Sequence, residues 1–409
     1  VNDDGTGGTG IAPAGASRGT HEAVELRDGG ERFKGLDVQR ALAGIEREIA
    51  PALAGRDVAD QAGIDAMLIA LDGTPTKSRL GGNALIATSL AVLHAAAAHA
   101  RLPLWQYVAQ GREAALPLPQ IQVFGGGAHA GRRVDVQDFM VIATGAQSFG
   151  EALEMTAEVY RCAGELMAQR GKLAGVADEG GWWPDFDRNE DALDMLVRSI
   201  ERAGFVPGDD VSIALDIAAS EFGKGGEYRL ALEHQLLDSD ALCDKLLRWI
   251  DKYPIVSIED PLAEDDEQGL AAFTRTAGSR VQIVGDDYLV TNADRVRHAA
   301  AAGACNCVLI KPNQAGTVTE TKAALDAAKQ AGYATIVSAR SGETEDVAIV
   351  HLATGWNAGQ LKVGSFARSE RMAKWNEGLR IEERARLPFA RSQLVFDRGM
   401  IGPWRPDTG

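Results

Sequence analysis

Three carboxylates, Asp216, Glu259 and Asp286, each close a short β-branched run, at 211–216, 255–259 and 281–286. If those runs are successive strands, the acids meet at one rim. With no counter-cation nearby they would repel one another, and a divalent cation resolves the conflict. An all-oxygen ligand set with open positions suits Mg²⁺, whereas zinc would want His or Cys. Any one of the three also reads as an ordinary solvated acid at a strand end, but their coincidence on consecutive strands favours the set. Lys311 closes the next run, where neighbouring cations such as Lys362 would disfavour its ammonium form and turn it into a general base. Alternatively, both amines simply neutralise the acidic rim. Glu179, in Ala177-Asp178-Glu179-Gly180-Gly181, is an acid held on a glycine turn or an ordinary acidic turn. Ser338 to Glu343 is expected to follow a strand and open a helix, where Arg340 and Ser341 would hold a phosphate. The other reading pairs Arg340 with the acids. His129, in a glycine-rich loop before Asp138, carries no signal of its own.

These groups need a scaffold. Runs at 211–216, 255–259, 281–286, 307–311, 334–338 and 361–363 alternate with helix-length segments, the pattern of repeated βα units. A polar group at the end of every run suits a closed barrel. An open sheet would carry a G-x-G-x-x-G turn after its first strand, which is absent here. Before this region, Val38, Leu42, Ile45 and Ile49 recur at helical spacing, predicting a helix over 36–53 that frays at Pro51. Further helices are predicted at 61–70 and 83–99, after a strand-and-loop opening. Leu116-Pro117-Leu118-Pro119 is a breaker cluster dividing the chain into units 1–114 and 115–409.

With 409 residues, 42 basic against 58 acidic side chains and a net charge of −16, the chain is ill suited to nucleic acid. Its Ala-rich stretch at 84–98 is shorter than the roughly 20 residues a bilayer requires. Cys162, Cys243, Cys305 and Cys307 form no C-x-x-C pair, so neither zinc nor a disulfide framework is indicated, the last two pack on their strand, and a cytoplasmic location is expected. The chain starts at Val1 on a polar, Gly-rich segment, and part of its beginning is expected to be missing.

The phrases AGAS from Ala14, HEAVELRDG from His21, LDGT from Leu71, DEGG from Asp178, LDIAASEF from Leu215, SIEDP from Ser257, GDD from Gly285, LIKPNQAG from Leu309, SGETED from Ser341 and RSERMAKWNEGLRIEE from Arg368 resemble the enolase family, in order and over nearly the whole chain. The resemblance implies an α/β fold, an enolase-type βα barrel with irregular opening strands under an N-terminal α+β capping domain, and a homodimer. It implies that Asp216, Glu259 and Asp286 hold one Mg²⁺ and that Ser17, on a loop with Ala16, helps hold a second. Lys311 would remove the proton α to a carboxylate, and Glu179 would assist departure of the β-hydroxyl. Lys362 would face the carboxylate, Arg340 and Ser341 the phosphate, and His129 and Gln137 would line the pocket.

The chain also departs from the family. Ala339 replaces a histidine, Arg18 a threonine and Ala14 a serine. Gly125 replaces an asparagine, and Asp138 replaces a glutamate, which withdraws a carboxylate by about 1.5 Å. A misplacement near 1 Å can cost about a hundredfold in rate. These changes gather at the hydroxyl end, so the expected function is enolate formation from a phosphorylated or phosphonylated three-carbon acid with altered chemistry there, as in carboxyphosphonoenolpyruvate synthase. Arg18 and the space at Ala339 would suit a bulkier, more anionic substrate. The alternatives are an ordinary phosphopyruvate hydratase acting on 2-phosphoglycerate and an inactive binding scaffold.

Overall fold

The computed structural model describes residues 1–390, and the remainder of the expected 115–409 unit lies outside the described residues. Eight strands close a barrel: β1 (Leu118–Gly125), β2 (Asp138–Ile142), β3 (Ser212–Asp216), β7 (Ile255–Glu259), β8 (Gln282–Gly285), β9 (Cys307–Ile310), β10 (Ala334–Ser338) and β11 (Gly359–Gly364). A small outer sheet follows β3 in sequence, made of β4 (Gly223–Lys224), β5 (Glu227–Leu230) and β6 (Gln235–Asp238). Around the barrel the order is β1, β11, β10, β9, β8, β7, β3, β2. Pairing is antiparallel between β1 and β2 and between β2 and β3, and parallel elsewhere. The opening strands are therefore irregular, as the resemblance implies.

Side-chain alternation places the site. Gln360 of β11 hydrogen-bonds Gln282 of β8 at 2.8 Å although two strands separate them, so the side chains meet inside the barrel. Gln120 donates to Gln360 at 2.8 Å and Gln282 to Ser257 at 3.0 Å, completing a buried polar floor. Two residues further along a strand point the same way. From Gln120, Ser257 and Gln360 this step leads to Gln122, Glu259 and Lys362. Two expected strand ends shift by one residue: β8 stops at Gly285 and β9 at Ile310, leaving Asp286 and Lys311 as the first residues beyond their strands. The proline cluster is not a linker throughout, because Leu118 and Pro119 belong to β1. At Pro119 the strand pairs only with β11, since β2 joins from Ile121, so the missing N–H costs no ladder bond with β2.

The cap is helical. A helix runs from Gln39–Gly44 through a π turn at Ile45–Ile49 to Ala50–Leu53, with Pro51 tolerated near the start of the last segment. Helices Gln61–Asp72 and Gly82–His99 follow. The expected opening strand does not form: among the described residues no strand precedes Leu118. The segment around Val24 sends its amides to scattered acceptors, Ala23 N to Gln314 O, Val24 N to Thr76 O and Leu26 N to Asn83 Oδ1, so no ladder arises.

The cap has its own apolar cluster, including Ile49, Ile64, Leu68 and Leu85, and its junction with the barrel is polar. Buried Asp65 accepts from Ser89 Oγ at 2.6 Å, and from Thr319 N at 2.9 Å and Thr319 Oγ1 at 2.6 Å, at the start of helix Val318–Gln330. Replacing Asp65 with alanine would leave these donors unsatisfied. We expect Asp65→Ala to cost about 2–4 kcal/mol in urea unfolding. An unchanged midpoint would show that the junction does not depend on this carboxylate.

Candidate active site

At the rim of the barrel Lys362 Nζ lies 2.7 Å from Asp216 Oδ2, 2.8 Å from Glu259 Oε2 and 3.4 Å from Asp138 Oδ2. Lys311 Nζ hydrogen-bonds Asp286 Oδ2, and Gln314 Nε2 donates to Asp286 Oδ1 at 2.9 Å. All of these groups are buried. This corrects the picture of an acidic trio without a counter-cation: two lysines occupy that role. It also corrects the expected direction at Lys311. Burial lowers its pKa, but the surrounding carboxylates, Asp286 first and Glu259 after it, together outweigh this and hold it above the ordinary lysine value.

The neutralisation is incomplete. Glu259 Oε1 is buried without a hydrogen-bond partner, and burial followed by the charge of Asp216 pushes this carboxyl well above its usual range. An orphaned carboxylate oxygen beside a second carboxylate is a donor set that fits Mg²⁺. The three expected ligands do not converge as a set. Lys362 stands between Asp216 and Glu259, and Lys311 lies against Asp286. The acids whose oxygens fall within 4.8 Å of one another are Asp260, Asp286 and Asp287. Asp260 was not anticipated. It follows β7 at a φ of 41° and accepts from Asp286 N at 2.8 Å and Asp287 N at 2.9 Å. Burial and Asp286 push it up to about 8. Its only signal in the sequence is its place before Pro261.

Opposite lie His129, Asp138 and Glu179, with ligand atoms within 4.8 Å of one another. His129, loop surface on its local sequence and a pocket residue by the resemblance, is buried on a 3₁₀ turn, Gly127–Ala130. Its Nδ1 is 3.5 Å from Asp138 Oδ1 and its Nε2 is 4.0 Å from Glu179 Oε1. Burial lowers its pKa, but Glu179 and Asp138 outweigh that and raise it to about 9. Asp138 lies well below the carboxylate range: burial acts upward and is overcome by Lys362 and His129. Gln137 Nε2 donates to Asp216 Oδ2 at 3.1 Å. The Glu179 turn requires its glycine, because Gly180 has a φ of 90° and a Cβ there would lie 2.4 Å from Ala367 O.

At the third side, buried Arg340 is already engaged. Its Nη1 reaches Glu22 Oε2 at 3.0 Å and Asn313 Oδ1 at 3.1 Å, and its Nη2 reaches Ser17 O at 2.9 Å. The ion pair is thus made with Glu22, a residue the sequence did not single out. Ser341 Oγ accepts from Ala16 N at 2.6 Å, and Ala14 and Gly342 exchange two 2.8 Å backbone bonds, so the loop carrying Ser17 lies across the end of β10. Arg18 is exposed, 3.9 Å from Glu25, and does not join the rim. The expected helix start at Ser341 is absent. The next helix is Ala348–Gly355, because Glu343 accepts from Arg340 N at 3.0 Å and Asp346 from Ala348 N at 2.7 Å, holding a loop between them. Ala339 is buried at this corner. Cys305 and Cys307 are both buried free thiols.

Comparison with known proteins agrees with this architecture in both the cap and the barrel. Residues 1–108 match the family model for the enolase N-terminal domain, and residues 113–388 match that for the enolase C-terminal TIM barrel domain. The chain is 50% identical over 406 residues to Enolase 1 of Desulfitobacterium hafniense (strain Y51), covering 97% of this chain and 93% of that protein. An eight-stranded barrel with antiparallel opening strands, a helical cap and matches of this extent together mean that the chain belongs to the enolase family of lyases.

Proposed function

We propose that the protein is a Mg²⁺-dependent phosphopyruvate hydratase, converting 2-phosphoglycerate to phosphoenolpyruvate. The observation carrying this reading is the strand order, which sets β9, followed by the amine of Lys311, four places from β2, whose Asp138 lies with His129 and Glu179, in a closed barrel of eight. Likeness to a protein called Enolase 1 over 97% of the chain favours it over the phosphonate chemistry. The division at 114/115, a homodimer and a cytoplasmic location belong to the same proposal.

Asp216, Glu259 and Asp286 would hold one Mg²⁺ once Lys362 and Lys311 give up the contacts that now separate these acids, with Ser17 serving a second. Bound there, the metal supplies positive charge against the charge that develops on the substrate carboxylate. Unit charges about 4 Å apart at an effective dielectric near 20 interact by roughly 4 kcal/mol. Lys311 Nζ, neutral once it has given up its proton and its contact with Asp286, takes the α-hydrogen as a proton, and the electron pair of the broken C–H bond moves toward the carboxylate, which Lys362 faces. Arg340 and Ser341 hold the phosphate. As the C–O bond breaks, Glu179 delivers a proton to the departing hydroxyl, releasing water. Substrate must displace part of the contact between Arg340 and Glu22 to reach the guanidinium.

A second reading rests on Ala339 and Asp138. With no histidine at the buried position 339 and a shortened carboxylate at 138, α-proton removal would be retained while the hydroxyl end does other chemistry, as in carboxyphosphonoenolpyruvate synthase. Absorbance of phosphoenolpyruvate formed from 2-phosphoglycerate separates the readings. Turnover at ordinary enzyme rates supports the hydratase, whereas Mg²⁺-dependent exchange of the α-hydrogen without elimination supports the second.

Lys311→Ala should lower both elimination and exchange by on the order of 10²–10⁴-fold, and retention of either removes Lys311 as the base. Ala339→His should raise elimination by about tenfold or more if proton delivery limits the native chain. Saturating Mg²⁺ should raise the unfolding temperature, since a ligand at about 100 times its Kd adds about 2.7 kcal/mol. Glu259→Gln should abolish most of that rise. An undiminished Mg²⁺ shift in this variant would remove Glu259 from the ligand set.

A further inference from the structure

Gln122 has no assigned role, yet it is buried between the two acids of the hydroxyl end. Its Nε2 hydrogen-bonds Asp138 Oδ1, and its Oε1 accepts from Gly181 N at 2.8 Å, in the turn that carries Glu179. On the antiparallel β1–β2 pair Gln122 faces Met140, so Asp138 is its diagonal neighbour. One amide thus spans from the strand bearing Asp138 to the loop bearing Glu179. The fit is close on both sides. A Cβ at Gly181 would stand 2.5 Å from Gln122 Oε1, and one at Gly125 would stand 3.2 Å from Gln122 Nε2. The other carboxylate oxygen of Asp138, Oδ2, is buried with no hydrogen-bond partner and has only Lys362 Nζ at 3.4 Å.

We propose that Gln122 is the positioning residue of the hydroxyl end: its length is matched to the short Asp138, and together they set how far that carboxylate stands from the substrate and in which orientation Glu179 is presented. The proposal deepens the reading given above and rests on it. A longer acid at 138 would be driven against the Gln122 amide. A shorter amide at 122 would lose either Asp138 or Gly181, since it cannot span both. Moving one methylene from residue 122 to residue 138 keeps the combined length and carries the carboxylate inward by about 1.5 Å.

The test is a double-mutant cycle of Gln122→Asn, Asp138→Glu and the combined variant, measured in two independent ways. In urea unfolding, which needs no substrate, each single change should destabilise and the combined variant should recover, with a coupling of at least about fivefold in the unfolding constant. Additive effects there overturn the matched pair whatever the reaction is. In kinetics, each single variant should lose about tenfold or more in kcat while KM for 2-phosphoglycerate stays within about threefold, because Arg340, Ser341 and Lys362 are untouched. The combined variant should regain most of the kcat, with a changed ratio of elimination to α-hydrogen exchange. A purely structural role would restore stability but leave that ratio fixed, which would overturn the positioning claim. If the native chain neither eliminates nor exchanges, the functional reading fails. The kinetic role of Gln122 then fails with it, while the unfolding cycle still decides whether the pair is matched.

Discussion

Buried negative charge at the rim of the barrel is the constraint from which the rest of the site follows. Asp138, Asp216, Glu259, Asp260, Asp286 and Asp287 are each no more than 5% exposed, and carboxylates so placed cannot all be ionised without nearby cations. The chain supplies cations from within, Lys362 among three of the acids, Lys311 on a fourth and His129 beside Asp138. Even so, Glu259 keeps an oxygen with no partner. This arrangement leaves an unmet demand for positive charge, which the proposed Mg²⁺ would meet. Breaking a buried ion pair from one side is strongly destabilising, so the same groups also hold the rim together.

The barrel can tolerate this because its floor is hydrogen-bonded. Gln120, Gln282, Gln360 and Ser257 fill the layer beneath the acids with groups that satisfy one another. Each of the three floor glutamines donates its side-chain amide to another group of the floor. Asp216 and Glu259 stand on strand ends fixed by parallel pairing, so their spacing is set by register: these two residues are direct partners across β3 and β7. Flexible loops would not hold two like charges so close.

Much of this was legible in the sequence, for reasons that differ by element. The runs at 255–259 and 334–338 became strands with the same bounds, because buried parallel strands are continuous apolar runs ending in polar groups. The expected opening strand did not form because a local pattern says nothing about whether a partner is in reach, and the amides around Val24 found loops instead. The site shows the same division. Residues at strand ends were found from their run. Glu22, 318 positions from Arg340 in sequence, gave no local signal, and neither did Gln122, whose partners are the neighbouring strand and a distant turn. His129 was undervalued because a glycine-rich loop reads as surface, although here it folds inward against Glu179 and Asp138.

The distribution of the departures from the family then has a mechanical explanation. The amine end is built on barrel strands and the residues directly after them, with Lys362 in β11 and Lys311 following β9. A change there would disturb the ion pairs that hold the rim. The hydroxyl end is built largely on connections, the turn of His129 and the turn of Glu179, fastened by a few side-chain bonds such as those of Gln122. Loss of a histidine at 339 costs no ion pair, and shortening the acid at 138 is absorbed by the amide that reaches it. In the proposed reaction, proton removal is therefore constrained by the stability of the fold itself. The fate of the hydroxyl would be constrained only by a handful of adjustable contacts, and that is the half of the proposed chemistry in which a chain of this architecture is free to diverge.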